Sequence, residues 1–212
     1  VDDTNEYFTV VDGVLYSKDK ATLYCCPLGK TGSFTVPSGT TTLAEMAFCA
    51  CENITDVTIP SSVTSIGDAA FANCDSLKTA AILGNVTNIG TDTFYYCENL
   101  TCVTIPNSVT AISEFAFEDC TSLQDILFTG TEEEWNGISK AKEAFKNTPD
   151  YTVHYNFDPS YTGILKLSDD KYWYFEDGVK QTITDIIKMP LTSEVDAGKT
   201  LYIKNGKKQI AK

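Results

Sequence analysis

The sequence predicts an α/β repeat solenoid with a small all-β module at its C-terminal end. Three observations lead there. Apolar residues return every 23 positions through the middle of the chain, each repeat contains a short alternating stretch, and after residue 158 the frame gives way to two hairpin-like lines. A unit of this length cannot bury its own apolar face, so a fixed period implies stacked units sharing one continuous core.

The register is strict. Cys51, Cys74, Cys97 and Cys120 are each 23 residues apart, and Phe48, Phe71, Phe94 and Phe117 keep that spacing three residues ahead of them. Ile54, Leu77, Leu100 and Leu123 follow three behind, then Val57, Ala80, Val103 and Ile126, then Ile59, Ile82, Ile105 and Phe128. Leu43, Ile66, Ile89, Ile112 and Trp135 complete the frame. Four full units run over 36–127 with a partial fifth beyond, and the first holds Thr40 where the others hold Val63, Val86 and Val109. The LxxVxI segment ends with a period of two, which reads as a short parallel strand with Val57 and Ile59 inward and Asp56 and Thr58 outward. Pro60 and Pro106 end their strands, since proline has no amide to donate to a ladder. The segment around each Phe and Cys, such as 68–74, reads as a helical turn on the opposite side.

The clearest copy, IPSSVTSIGDAAFANCDSLKTAA at 59–81, shows the IP start, the IxxxAF core and the C-x-x-L ending. This pattern resembles the BspA-like class of leucine-rich repeats found in bacterial surface proteins, over residues 36 to about 138. The resemblance implies a leucine-rich repeat solenoid with β-strands on a concave face and short helical turns on a convex one. It also implies a secreted or cell-surface protein that mediates protein–protein interaction or adhesion, with a host matrix protein or another bacterial surface protein as partner. A repeat scaffold displays surfaces, so the motif specifies fold far better than activity.

Open solenoids expose apolar ends, so the terminal units must be atypical. Residues 1–35 read as an N-terminal β-hairpin cap: strands at 7–11 and 14–17 around Asp12-Gly13, then a turn at 18–20 and a further strand at 21–25. Residues 36–158 form the solenoid, closed by a capping helix and a strand. Thr131 precedes Glu134 by three, a capping-box spacing, and a mostly apolar stripe of Trp135, Ile138, Lys142 and Phe145 predicts a helix over 131–146. Residues 151–155 then read as a last short strand.

Residues 159–212 read as the small all-β module. DKYWYFEDGVKQ at 170–181 and GKTLYIKNGKKQ at 198–209 each place an Asp-Gly or Asn-Gly turn between strand-like runs, a hairpin signature. These lines resemble degenerate aromatic cell-wall-binding repeats of Gram-positive surface proteins, in which paired aromatics cage choline-type cations or sugars. That resemblance nominates Trp173 and Tyr174 and gives an alternative function: a cell-wall-associated spacer that holds wall polymer through this module. The second line carries Leu201 where the first has Trp173.

The candidate sites are few. The outward strand positions give a polar, Thr-rich strip whose members include Asp56, Thr58, Thr79, Cys102, Thr104 and Asp125, with Cys102 a candidate accessible thiol. The strip has no Arg or Trp anchor of the kind that dominates tight interfaces. On the convex side Cys49, Ala72, Tyr95 and Glu118 stand beside the buried Phe positions. The Cys51, Cys74, Cys97 and Cys120 ladder is read as structural, because free cysteine behaves as a small hydrophobe and four rungs in a line cannot make a tetrahedral zinc site. His154 is the only histidine, and no nucleophile motif surrounds it. No catalytic site, cofactor or metal is therefore expected.

Composition bounds the remaining classes. The 212-residue chain is 42% hydrophobic, enough for a sizeable core, and carries 29 acidic against 16 basic residues for a net charge of −13. Such a surface repels phosphate backbones and anionic lipid headgroups, which argues against nucleic acid. No apolar run reaches the ~18–20 residues that span a bilayer, so no membrane insertion is expected. The opening VDDTNEYF shows no signal-peptide pattern. Three Asn-x-Thr sequons begin at Asn53, Asn85 and Asn99 and carry little weight, since such triplets arise readily in Asn/Thr-rich chains.

Overall fold

Stacked coils that share one core must place equivalent strands side by side, and they do. The computed structural model describes residues 1–2 and 4–160, and beyond them the backbone of six short strands within 163–211. The chain divides into two units, Val1–Phe157 and Asp158–Lys212.

The first unit opens with β1 (Phe8–Val11), β2 (Val14–Ser17) and β3 (Thr22–Cys25), joined antiparallel. Asp12 and Gly13 both take positive φ, 50° and 84°, the conformation that a two-residue primed hairpin turn requires. The chain continues through β4 (Gly32–Thr35), β5 (Thr42–Leu43), β6 (Ile54–Ile59), β7 (Ser65–Ile66), β8 (Thr79–Ile82), β9 (Asn88–Ile89), β10 (Cys102–Ile105), β11 (Ala111–Ile112) and β12 (Asp125–Phe128). Helix α1 (Glu132–Gly137), β13 (Ser139–Lys140) and β14 (Thr152–His154) complete it.

The longer strands make a six-stranded parallel sheet in the order β14-β12-β10-β8-β6-β4. The two-residue strands make a second row: β5 pairs in parallel with β3 and β7, and β11 with β9 and β13. This second row does not show in the sequence pattern, because two residues are too few to display a period. Since β3 and β4 already pair in parallel with β5 and β6, coil geometry begins in the segment that follows the hairpin.

The core is a series of ladders between coils. Phe48, Phe71, Phe94 and Phe117 are fully enclosed, and their rings stack at 4.9, 5.3 and 5.3 Å. Phe34 closes the stack on one side at 5.2 Å, edge-on, and Phe145 continues it on the other at 4.9 Å. Thr40 is buried in its valine-type position, where its hydroxyl donates to the Lys20 carbonyl at 3.4 Å.

The segments around each Phe and Cys are turns rather than helices. Each coil places two residues four apart in the left-handed region: Met46 and Ala50, Ala69 and Asn73, Asp92 and Tyr96, Phe115 and Asp119, all with φ between 54° and 59°. A right-handed helix cannot pass through such positions. Amides at such positions bond instead to the next coil, as Ala69 N–H does to the Thr91 carbonyl and Asp92 N–H to the Glu114 carbonyl.

The helix expected over 131–146 is confined to Glu132–Gly137. Its capping box is present, with the Glu134 amide donating to Thr131 Oγ1 and the Thr131 amide to Glu134 Oε2. It ends because Ser139 and Lys140 pair with Ala111 and Ile112, and sheet pairing outweighs the local helical pattern. Trp135 therefore does not hold the frame position of Ile112; Lys140 does. The Lys140 ammonium lies 4.6 Å over the Trp135 ring and donates to the Trp135 carbonyl at 2.6 Å. Burial lowers its pKa.

In the second unit β15 (Gly163–Lys166), β16 (Tyr172–Glu176) and β17 (Val179–Lys180) form one antiparallel sheet, and β18 (Ile187–Pro190), β19 (Thr200–Lys204) and β20 (Lys207–Ala211) another. Trp173 and Tyr174 fall on β16 opposite Leu165 and Ile164, and their side chains lie outside the described residues.

Candidate interaction face

Strand alternation puts Ser33 and Thr35 of β4 and Asp56 and Thr58 of β6 on the side of the six-stranded sheet away from the core. This is where the nominated strip is open: Ser33 and Thr35 are exposed, Asp56 and Thr58 half-buried. The Asp56 carboxylate is held in place, accepting from Thr79 Oγ1 at 2.7 Å, Thr55 Oγ1 at 2.7 Å and Ser33 Oγ at 3.2 Å. Three donors from three strands fix an acidic group beside the sheet edge.

Farther along the sheet the same strip is closed. Thr79, Cys102, Thr104 and Asp125 are only 7%, 2%, 3% and 1% exposed. Ala81 and Leu127, on the same side, are also buried yet stand apart from the core cluster of the coils. The expectation that Cys102 is an accessible thiol is therefore corrected: strand alternation tells which side a residue takes, not whether that side is open. On the opposite side Ala72 and Glu118 are buried as well, so the row beside the Phe ladder is open chiefly at Cys49 and Tyr95, with the exposed Tyr96 ring 4.6 Å from that of Tyr95. Glu118 is paired with Lys146 at 2.7 Å, an attachment that raises the lysine pKa.

His154 has a partner that sequence reading missed, because the two residues stand 29 apart. Its Nε2 lies 2.8 Å from Asp125 Oδ1, across the β12–β14 pairing. No hydroxyl or thiol shares the imidazole among the described residues, so the pair lacks the nucleophile of a hydrolytic triad. It ties the last strand of the sheet to its neighbour.

The four ladder cysteines are buried, with thiols facing backbone. Cys74, Cys97 and Cys120 donate to the carbonyls of Phe48, Phe71 and Phe94, each at 3.1 Å. Burial pushes the Cys120 thiol up to about 12, so it stays protonated and able to donate. Among the described residues, no group of three or more His, Cys, Asp or Glu side chains is arranged to hold a metal ion. No helix among them is long and apolar enough to cross a membrane.

A family model described as the BspA type leucine rich repeat region matches residues 20–152 in six copies. The chain belongs to this family. The BspA-type array thus holds more copies than the four full units and partial fifth legible in the sequence, and the match extends beyond those units at both ends. Among solved structures, a leucine-rich repeat protein from Eubacterium ventriosum is 25% identical with a TM-score of 0.53, covering 71% of this chain and 53% of its own. The pneumococcal vaccine antigen PcpA is 24% identical with a TM-score of 0.52, over 72% of this chain and 44% of its own. A leucine rich cell surface protein from Faecalibacterium prausnitzii is 33% identical over 63% of this chain and 42% of its own, with a TM-score of 0.49. The BspA-type chain thus spans about half the length of these structures. No curated protein matches it. The likeness to the cell-wall-binding repeats receives no support, since the match ends at residue 152.

Proposed function

We propose that this BspA-type array is a non-enzymatic, surface-displayed module that binds a protein partner, either a host matrix protein or another bacterial surface protein. Membership in the family supports an interaction or adhesion role. The observation that carries the choice of face is the contrast along the six-stranded sheet: open and polar at Ser33, Thr35, Asp56 and Thr58, closed over β8, β10 and β12, and open again only at the far edge strand β14, where Thr152 is exposed. A partner that fits this face presents basic or hydrogen-bond-donating side chains, because the anchored Asp56 carboxylate and the net charge of −13 favour them.

The test is a binding assay with the full chain against purified matrix proteins and bacterial cell walls at physiological salt. Retention of a matrix protein that falls at least tenfold on Asp56→Arg and Thr58→Arg supports the proposal. Binding to cell walls alone, unchanged by those substitutions and abolished by Trp173→Ala, would replace it with the wall-spacer role.

A further inference from the structure

The thiol that begins the cysteine ladder is held differently from those above it. Cys51 Sγ reaches back to the Cys26 carbonyl at 3.6 Å and the Pro27 carbonyl at 3.9 Å, against 3.1 Å for each later rung. Cys26 Sγ points at that same Pro27 carbonyl at 4.0 Å. Two buried sulfurs from neighbouring coils thus converge on one acceptor, and neither makes a short bond to it. The Cys26 amide is pinned to the Ala47 carbonyl at 2.7 Å, so the approach is set by backbone.

The spacing makes this pair chemically distinct. Ladder rungs are 23 apart and occupy equivalent positions in successive coils, so their Cα–Cβ bonds run parallel about one strand spacing from each other, ~4.8 Å. A disulfide needs Cβ atoms converging to about 3.8 Å, which parallel bonds do not provide. Cys26 and Cys51 are 25 apart, so Cys26 comes from a different position in its coil and meets Cys51 from another direction.

We propose that Cys26 and Cys51 form a dithiol that closes into an inter-coil disulfide, a modification site joining the first coil to the second. The oxidant is a small-molecule disulfide such as oxidised glutathione. Both sulfurs are buried, so attack follows local opening of the first coil: one protein thiolate attacks the glutathione disulfide, forming a mixed disulfide and releasing one glutathione thiolate. The second protein thiolate then attacks the protein sulfur of that bond and expels the other glutathione. The protein gives up two protons and two electrons, and one glutathione disulfide becomes two thiols. A hydrogen bond with the Cys51 thiol, together with burial, raises the Cys26 pKa, so its thiolate is scarce at neutral pH. Closure is therefore faster in alkaline buffer.

The test incubates the full chain with oxidised glutathione in alkaline buffer, alkylates the remaining thiols, and maps linked peptides without reduction, with tandem mass spectrometry assigning the sulfurs. The expected result is loss of two hydrogens from the intact mass, a single Cys26–Cys51 link and a higher thermal midpoint than the reduced chain. The link persists in Cys25→Ala and disappears in Cys26→Ala and Cys51→Ala. If a variant fails to fold, the map of the unsubstituted chain still identifies the bonded sulfurs. Full alkylation after oxidation, glutathione left on the exposed Cys25 alone, or a link between other rungs would overturn the proposal.

Discussion

Thr148 Oγ1 donates to the Phe117 carbonyl at 2.6 Å, in the place that cysteine thiols fill in the preceding coils. Phe145 and Thr148 are the next Phe and Cys of the ladder, displaced to a spacing of 28 from Phe117 and Cys120 by the insertion that carries α1. A ladder built from one residue type thus ends on another that supplies the same donor. Thr148→Val is expected to cost about 1–2 kcal/mol, the penalty for a buried carbonyl that loses its partner, and Thr148→Cys to cost less. Urea midpoints of the three proteins check it. Equal stability of the valine and threonine forms would show that water replaces the hydroxyl.

Phe94 lies at the middle of the ring stack, 5.3 Å from Phe71 and 5.3 Å from Phe117. Neighbouring coils are held by the same stack and cannot close over a missing ring. Phe94→Ala is expected to cost about 3–5 kcal/mol. Phe94→Leu should cost less, since it keeps part of the volume. Chemical denaturation measures both, and a tolerated alanine would contradict a shared core.

Asp92 is a destabilising charge. Burial raises its pKa, and the nearby Glu118 and Asp68 carboxylates raise it further. A folded pKa above the unfolded one means that the ionised form opposes folding. The penalty is absent in acid, where both states are protonated, and complete once pH has passed the folded value. Asn keeps the shape without the charge and suits the left-handed backbone there, φ 54°. Asp92→Asn is therefore expected to stabilise by about 0.5 kcal/mol at neutral pH. The gain should fade as pH drops through the carboxylate range. Thermal midpoints across that range test the sign, and a gain that grows in acid would refute it.

The Asp125–His154 pair holds the last strand of the sheet. His154→Leu takes a partner from a carboxylate only 1% exposed and is expected to cost about 1–3 kcal/mol. His154→Gln, which retains a donor, should cost less. Hydrogen exchange on β12 and β14 is the sensitive readout, with faster exchange of the β14 amides in the leucine form. Unchanged protection would mean that backbone pairing alone secures the strand.

Much of the fold was legible because its cause is periodic. A spacing of 23 residues in Phe, Cys and aliphatic positions is visible in one dimension, and stacking is its only economical explanation. The Asp12-Gly13 turn and the Thr131–Glu134 capping box were legible for a local reason: each depends on residues within four positions. The two-residue strands were not, nor was the early end of α1, because both depend on pairing with a coil a full repeat away. The candidate face was half legible. Alternation assigns Asp56 and Cys102 to one side, and it cannot tell that Asp56 stays partly open while Cys102 is closed.

The sequence by itself determined the repeat length, the ladder residues, the hairpin turn and the family, since each is a local or periodic property of the residues. Tertiary structure decided which outward positions meet solvent, that Lys140 rather than Trp135 pairs with Ile112, that Thr148 takes over from cysteine, and that Asp125 meets His154. Those outcomes depend on how an insertion is absorbed between coils and on which strands become neighbours. Such distances arise only once the chain has closed on itself.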